Sequence, residues 1–172
     1  MKAFNRFLDV ITRITGIMAG ILLFIPVFAI FYEVISRGVF NQPTEWATEI
    51  STYCVLMAGF LGMGTALAKG RHIHVDMVIS HLSERTNIIL RIVSCIICII
   101  FTVIFCWKSA EMAYMSYDLD MLAASTLRMP LWIPQLSLPV GTIVLLLQFV
   151  RMLIENVQAL ASHGEKKGGA AA

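Results

Sequence analysis

Residues 14–32 read ITGIMAGILLFIPVFAIFY and form a run of 19 residues without a charged side chain. An apolar helix of about 20 residues is long enough to cross the hydrocarbon core of a bilayer. The whole chain has the same character, because 58% of its 172 residues are hydrophobic and 14% are charged, with a mean hydropathy of +0.80. A soluble domain carries about 25% charged residues. The composition therefore predicts an all-α membrane protein.

Three more charge-free stretches follow the first, over residues 50–68, 92–107 and 129–150. The stretch from 92 is short, but Arg91 and Lys108 at its ends can extend their charged groups toward the interface. We therefore predict four transmembrane helices, which span about residues 14–35, 49–68, 88–107 and 130–151.

The length leaves no room for a second large domain. We predict one integral membrane domain over residues 1–163, followed by a disordered tail over residues 164–172, which have no apolar periodicity. A net charge of +2 makes nucleic-acid binding an unfavoured function. Membrane lipids are the expected surroundings.

The distribution of Lys and Arg predicts the orientation. Ten of the 13 lie in the N-terminal segment, the loop between the second and third spans, and the C-terminal segment. The other three are Arg37, Lys108 and Arg128. Since positively charged loops stay on the cytoplasmic side, both termini and the middle loop are predicted to be cytoplasmic.

Two segments outside the spans have an amphipathic pattern. Apolar residues recur at helical spacing near the N-terminus and again in the cytoplasmic loop between spans 2 and 3; they are Phe4, Phe7, Leu8 and Ile11, and Val75, Val78, Ile79 and Leu82. Polar residues occupy the opposite faces. The pattern predicts two interfacial helices, which either anchor the chain on the membrane surface or dock onto a partner.

The predicted membrane interior lacks ionisable groups. No Asp, Glu, Lys, Arg or His lies in the central part of any span, although such groups typically mark ion and proton pathways. We therefore do not expect a self-sufficient pump. Haem ligation would require His on facing helices, and the spans contain none.

Enzymatic chemistry also finds little support. Cys95 and Cys98 form a C-x-x-C motif deep in the third span, where a thiol stays protonated. His72, His74 and Asp76 alternate along the cytoplasmic loop, but no further ligand completes a metal site. Phosphate-binding loops and nucleophile elbows are missing. The sequence predicts a protein without catalytic residues, metal or cofactor.

Small residues recur at intervals of four along the first two spans: Gly16 and Gly20, then Ala58, Gly62 and Ala66. In lipid, helices associate where small side chains let their backbones approach closely. We predict that these residues pack helices together, either within this chain or against another one.

The loop between the first two spans places Glu45 and Glu49 on one helix face. Acidic residues are favourable at the positive end of a helix dipole. Like charges at this spacing also repel and would gain from a cationic partner. Two interpretations of this acidic pair, a helix start and a charged docking surface, therefore remain open.

Three groups of residues resemble a known family, the small membrane subunit (Q-type, DctQ-like) of tripartite ATP-independent periplasmic, or TRAP, transporters. They are Ser36-Arg37 with Trp46-Ala47-Thr48-Glu49, the run Gly70-Arg71-His72-Ile73-His74-Val75-Asp76, and Pro130-Leu131-Trp132 with Pro139-Val140-Gly141. Together with the four-span topology they cover residues 10–155. Position 48 is often acidic in the family and is Thr here.

The resemblance implies a bacterial inner-membrane subunit of a sodium-driven symporter for organic acids such as sialic acids or C4-dicarboxylates. Its partners would be a large elevator-type membrane subunit (M-type), for which it acts as a scaffold, and a periplasmic substrate-binding protein (P-type), which it helps to dock. We expect Arg37, Trp46 and Glu49 to serve assembly or docking on the outer face. Arg71, His72 and Asp76 are expected to order the cytoplasmic turn.

Two other functions stay open from the sequence. One is a free-standing four-helix membrane redox protein, which reactive thiols or a metal outside the lipid would support. The other is a small homo-oligomeric transporter, which a polar face lining a shared cavity would support.

Overall fold

The computed structural model describes residues 2–42, 44–70 and 84–168, with side chains over 5–42, 44–70 and 86–160. These residues form an all-helical structure, as predicted. The helices are α1 (Lys2–Phe40), α2 (Glu45–Gly70), α3 (Glu84–Asp118), the single turn α4 (Trp132–Gln135) and α5 (Ser137–Gly168). The cytoplasmic-loop helix and the Arg71, His72 and Asp76 group that the sequence predicted lie outside the described residues.

Within the described ranges, four helices are long and apolar enough to cross a membrane, which agrees with the predicted number. They cover Asn5–Phe40, Glu45–Gly70, Thr86–Asp118 and Trp132–Leu160. α1 has 39 residues and α3 has 35, which at 1.5 Å per residue gives lengths of about 58 and 52 Å. Because the hydrocarbon core is about 30 Å thick, both helices continue well beyond the predicted spans.

The N-terminal amphipathic segment forms the first part of α1 and not a separate helix. No proline interrupts the chain before Pro26, so nothing in the backbone ends the helix between this segment and the first span. Leu8 is completely buried. The segment therefore packs against the rest of the chain through at least this residue, while its position at the membrane surface stays a prediction.

The last transmembrane helix is interrupted at its start. α4 ends at Gln135, and α5 begins at Ser137. Pro139 has no N–H to donate to the carbonyl of Gln135, and its ring crowds that carbonyl, so the regular helix is interrupted at this point. The Ser137 hydroxyl donates a hydrogen bond of 2.6 Å to the carbonyl of Pro134. At the other end α5 extends to Gly168, so the helix includes residues 164–168 of the segment that was predicted to be disordered.

The helices pack as two hairpins side by side. α1 packs against α2, α3 packs against α5, and α2 and α5 join the two pairs. The core between α1 and α2 is made of Ala19, Ala58 and Leu61, with Leu22 packed against it. We call the end formed by residues 33–49 and 108–131 the loop end, and the end formed by residues 5–16, 65–70 and 148–160 the terminal end.

Candidate partner-binding surfaces

Two of the predicted partner-binding residues, Arg37 and Trp46, present their side chains at the loop end. Arg37, in the last turn of α1, lies 3.7 Å from the carboxylate of Glu33, and its side chain is 62% exposed. The hydroxyl of Thr48 donates to the other oxygen of Glu33 at 3.3 Å, which joins α1 to α2. Trp46 is partly exposed and lies 5.8 Å from the ring of Tyr32. Both side chains are therefore accessible in this chain.

The loop between α3 and α4 folds back on itself at the same end. The backbone N–H of Ala123 donates to the carbonyl of Met129 at 2.9 Å, and that of Leu131 donates to Met121 at 3.0 Å. Arg128 has a φ of 44°, in the left-handed region that tight turns use. These bonds make a short hairpin whose tip lies between residues 123 and 129.

The tip of this hairpin binds the start of α2 through Thr126. Its backbone N–H donates to Glu49 Oε1 at 3.1 Å, and its hydroxyl donates to the carboxylate of Glu45. The second oxygen of Glu49 and the hydroxyl of Ser125 are buried, with no hydrogen-bond partner in the described part of the chain. The two acidic residues thus bind a loop of their own chain. Neither interpretation considered from the sequence, a helix start or a charged docking surface, includes this contact.

The predicted small-residue positions fall on different surfaces. Ala58 is buried in the core, and a Cβ on Gly62 would lie 3.6 Å from Ala19. A Cβ on Gly16 would meet Thr65 of α2 at 2.8 Å. Gly20 and Ala66 are exposed, and a Cβ on Gly20 would have open space around it. Three of the five positions therefore lie at contacts inside the chain, and two face outward.

The closest approaches between helices involve two glycines that were not among the predicted helix-packing positions. A Cβ on Gly141 of α5 would overlap the carbonyl group of Phe60 in α2, and one on Gly64 would lie 2.6 Å from Val144. These glycines set the distance between the two hairpins. Their sequence signal was available, since Gly141 belongs to the Pro139-Val140-Gly141 motif and Gly64 lies next to the small-residue repeat.

A buried polar group joins three helices at the terminal end. Gln148 Nε2 donates to the hydroxyl of Thr12 at 2.6 Å, and the hydroxyl of Thr65 donates to the backbone carbonyl of Thr12 at 2.8 Å. Hydrogen bonds of this kind join helices in an apolar surrounding. An amide inside the charge-free stretch 129–150 was the signal that could have pointed to this contact.

An ion pair lies beside this polar group. Arg151 Nη1 is 2.6 Å from Asp9 Oδ1, and Arg151 Nε is 3.3 Å from Glu155. The Arg151 side chain is only 11% exposed, whereas that of Asp9 is 64% exposed. The pair connects the first turns of α1 to the middle of α5.

Large apolar side chains cover the outer faces of α1 and α3. In the most apolar 18-residue window of α3, only 11% of the residues are buried inside the chain. Helical spacing places several exposed ones in stripes, with Phe24, Phe28 and Phe31 on α1 and Ile97, Phe101 and Ile104 on α3. Contiguous apolar surface of this extent requires lipid or another membrane protein beside it.

The four cysteines are free thiols. Cys95 is 1% exposed, and its sulfur lies 3.9 Å from the Asn156 amide nitrogen. The Cys106 thiol donates a weak hydrogen bond to the carbonyl oxygen of Pro139, with a sulfur-to-oxygen distance of 4.0 Å. Within the described residues, no group of three His, Cys, Asp or Glu side chains is arranged to hold a metal.

Comparison with known proteins adds a family match. The family model described as "Tripartite ATP-independent periplasmic transporters, DctQ component" matches residues 26–159, from within α1 to within α5. The chain is also similar to the sialic acid TRAP transporter permease protein SiaT of Haemophilus influenzae (strain 86-028NP), with 27% identity over 146 residues. That alignment covers 82% of this chain but 23% of the relative, so the chain spans about a quarter of the relative's length.

Proposed function

Because this chain belongs to the DctQ component family of tripartite ATP-independent periplasmic transporters, we propose that it is the scaffold subunit of a sodium-driven importer of an organic acid. It holds a large elevator-type subunit in the membrane and helps to dock a periplasmic substrate-binding protein. The family and the four apolar helices make it a multi-pass membrane protein. Its proposed location is the bacterial inner membrane, with both termini in the cytoplasm.

The observation that carries the scaffold role is the contrast between the interior and the surface of the bundle. Close helix contacts occupy the interior, as at Gly141 against Phe60, and the charge-free stretches contribute no Asp, Glu, Lys, Arg or His to it. The outer faces of α1 and α3 are broad and apolar. A bundle of this kind offers packing surfaces to a neighbour and no charged path for an ion.

The relative's length supports a large partner. The chain aligns with about a quarter of a protein named as a sialic acid permease, which leaves most of that permease without a counterpart here. We propose that a large membrane subunit supplies this remainder, including the substrate and sodium sites. The relative's name favours a sialic acid as the substrate over a C4-dicarboxylate.

The loop end is the proposed docking surface for the binding protein. Arg37 and Trp46 are exposed there, and Glu49 fixes the neighbouring hairpin through Thr126. On this proposal Arg37 and Trp46 contact the partner, while Glu49 acts by positioning the hairpin. Arg71, His72 and Asp76 are proposed to order the cytoplasmic turn.

Purification of the tagged chain from its native membrane in mild detergent, followed by mass spectrometry, tests the scaffold role. We expect one large multi-span membrane protein to be recovered in stoichiometric amount. Recovery of the chain alone and self-associated would instead favour a small homo-oligomeric transporter. Uptake of labelled sialic acid and succinate by cells with the whole system, with and without sodium, then tests the substrate and the driving ion.

A further inference from the structure

A groove of about 330 Å³ lies between α1 and α2 at the terminal end. Its polar lining consists of Asp9, Thr12, Arg13, Thr65 and Lys69. The two cations come from different helices, since Arg13 belongs to α1 and Lys69 to the last turn of α2. The antiparallel packing of these helices brings residues 56 positions apart in the sequence to the walls of one groove.

The charges of this groove are not balanced. Its carboxylate, Asp9, is engaged by Arg151 at 2.6 Å. Among the residues that the structure describes, Arg13 and Lys69 have no ion-pair partner. The hydroxyls of Thr12 and Thr65 take part in hydrogen bonds within the chain. With Asp9 and Glu155 both at Arg151, the two carboxylates and three cations sum to +1. The groove therefore carries net positive charge, beside a wall whose own polar groups are already bonded.

The depth of the groove in the membrane follows from the sequence. Arg13 directly precedes the first charge-free stretch, and Lys69 directly follows the second. Both cations therefore lie at the boundary between hydrocarbon and water, where the phosphates of lipids are found. Ile17 and Ala68 continue the lining on the apolar side of this boundary. A ligand that fits has a negative head at Arg13 and Lys69 and an apolar part beyond them.

We propose that this groove binds the headgroup phosphate of an anionic phospholipid, with Arg13 and Lys69 as its cationic ligands. Basic pockets between transmembrane helices bind anionic lipid headgroups in this way. Free phosphate could bind the two cations, but it has no apolar part to contact the lining at Ile17. This site is independent of the transport role proposed above.

Native mass spectrometry of the full chain, delipidated in detergent and titrated with phosphatidylglycerol or phosphatidylcholine, tests the proposal. We expect the unmodified chain to prefer phosphatidylglycerol. The double variant Arg13→Gln/Lys69→Gln should bind phosphatidylglycerol roughly thirtyfold more weakly, since each cation near the surface contributes about a factor of five. Its affinity for phosphatidylcholine should not change.

The matched control is Lys108→Gln/Arg128→Gln, which removes the same charge at the loop end and should keep the affinity for phosphatidylglycerol. If the double variant fails to fold, the single variant Lys69→Gln, at an exposed position, gives the same test with a roughly fivefold expected loss. Equal loss in the loop-end control, or no preference between the two lipids, overturns the site. Inorganic phosphate that competes as strongly as phosphatidylglycerol overturns the assignment to a lipid.

Discussion

Gln148 of α5 donates a buried hydrogen bond of 2.6 Å to the hydroxyl of Thr12 in α1, across 136 positions of sequence. The same Thr12 accepts a bond from Thr65 of α2 through its backbone carbonyl. One residue near the start of the chain therefore connects the first, second and last transmembrane helices. Because Thr12 and Gln148 are both buried, these bonds help to fix the register of α1 against the other two helices.

Replacing Gln148 with Leu should reduce stability by about 0.6 kcal/mol, the average measured for hydrogen bonds between membrane helices, and by no more than about 1.7 kcal/mol. Reversible unfolding in mixed detergent micelles measures the loss. The control is Gln135→Leu, because the side-chain oxygen of Gln135 is buried without a partner among the described residues. That variant should be neutral or slightly more stable. Equal losses in both variants would argue against the Gln148 bond as a source of stability.

Gly141→Ala should destabilise the bundle by roughly 1–3 kcal/mol, as overpacking does in other proteins. The added methyl group would lie 2.5 Å from the carbonyl carbon of Phe60, so α2 and α5 would have to separate. Gly59→Ala is the matched control, since its Cβ would meet nothing within 4 Å. The same unfolding titration compares the two. A Gly141→Ala variant as stable as the control would show that the helices do not approach this closely.

Removing the carboxylate of Glu49 should loosen the hairpin at the loop end. In Glu49→Leu, the backbone N–H of Thr126 loses its acceptor. A lost hydrogen bond reduces the local stability of the hairpin by about 1 kcal/mol, which makes its local opening roughly fivefold more frequent. Hydrogen–deuterium exchange over residues 121–131 measures the change. The control Glu111→Gln removes an exposed acidic partner of Lys108 on α3 and should leave exchange in the hairpin as it was. Unchanged exchange in Glu49→Leu would contradict the proposed positioning role.

The ion pair between Asp9 and Arg151 should contribute only modestly to stability. Since the Asp9 side chain is 64% exposed, solvent screens the pair. A double-mutant cycle of Asp9→Asn and Arg151→Gln should therefore give a coupling free energy of about 0.5 kcal/mol. The coupling should fall as salt is raised from low to high concentration. A coupling that does not respond to salt would mean that the pair is shielded from water.

The outward-facing small residues provide a test of partner packing. Gly20→Leu and Ala66→Leu place a large side chain on exposed surface, so the isolated chain should remain folded. If these positions pack against the large subunit, recovery of that subunit during purification should fall several-fold. Gly59→Leu, also in open space but outside the repeat, is the control and should keep normal recovery. Full recovery with all three variants would place the interface elsewhere.

The sequence was sufficient for the helical class and the number of spans, because both depend on local composition. A run of about 20 residues without charge crosses a bilayer whatever its neighbours are. It was less informative about helix ends. Residues such as Lys108 and Glu111 end an apolar stretch but not a helix, and α3 continues to Asp118. The terminal position of a helix depends on capping and backbone geometry more than on hydrophobicity.

Residue partnerships came only from the tertiary structure. By itself, the sequence determined that Gly16, Ala58, Glu49 and Gln148 occupy apolar helices or their ends, since this depends on neighbours along the chain. The fold decided that Glu49 holds Thr126, that Gln148 meets Thr12, and that Gly20 faces outward. These relationships depend on the rotation and register of each helix against the others. Many rotations satisfy the same apolar pattern in lipid, and the close contacts between particular side chains select one of them.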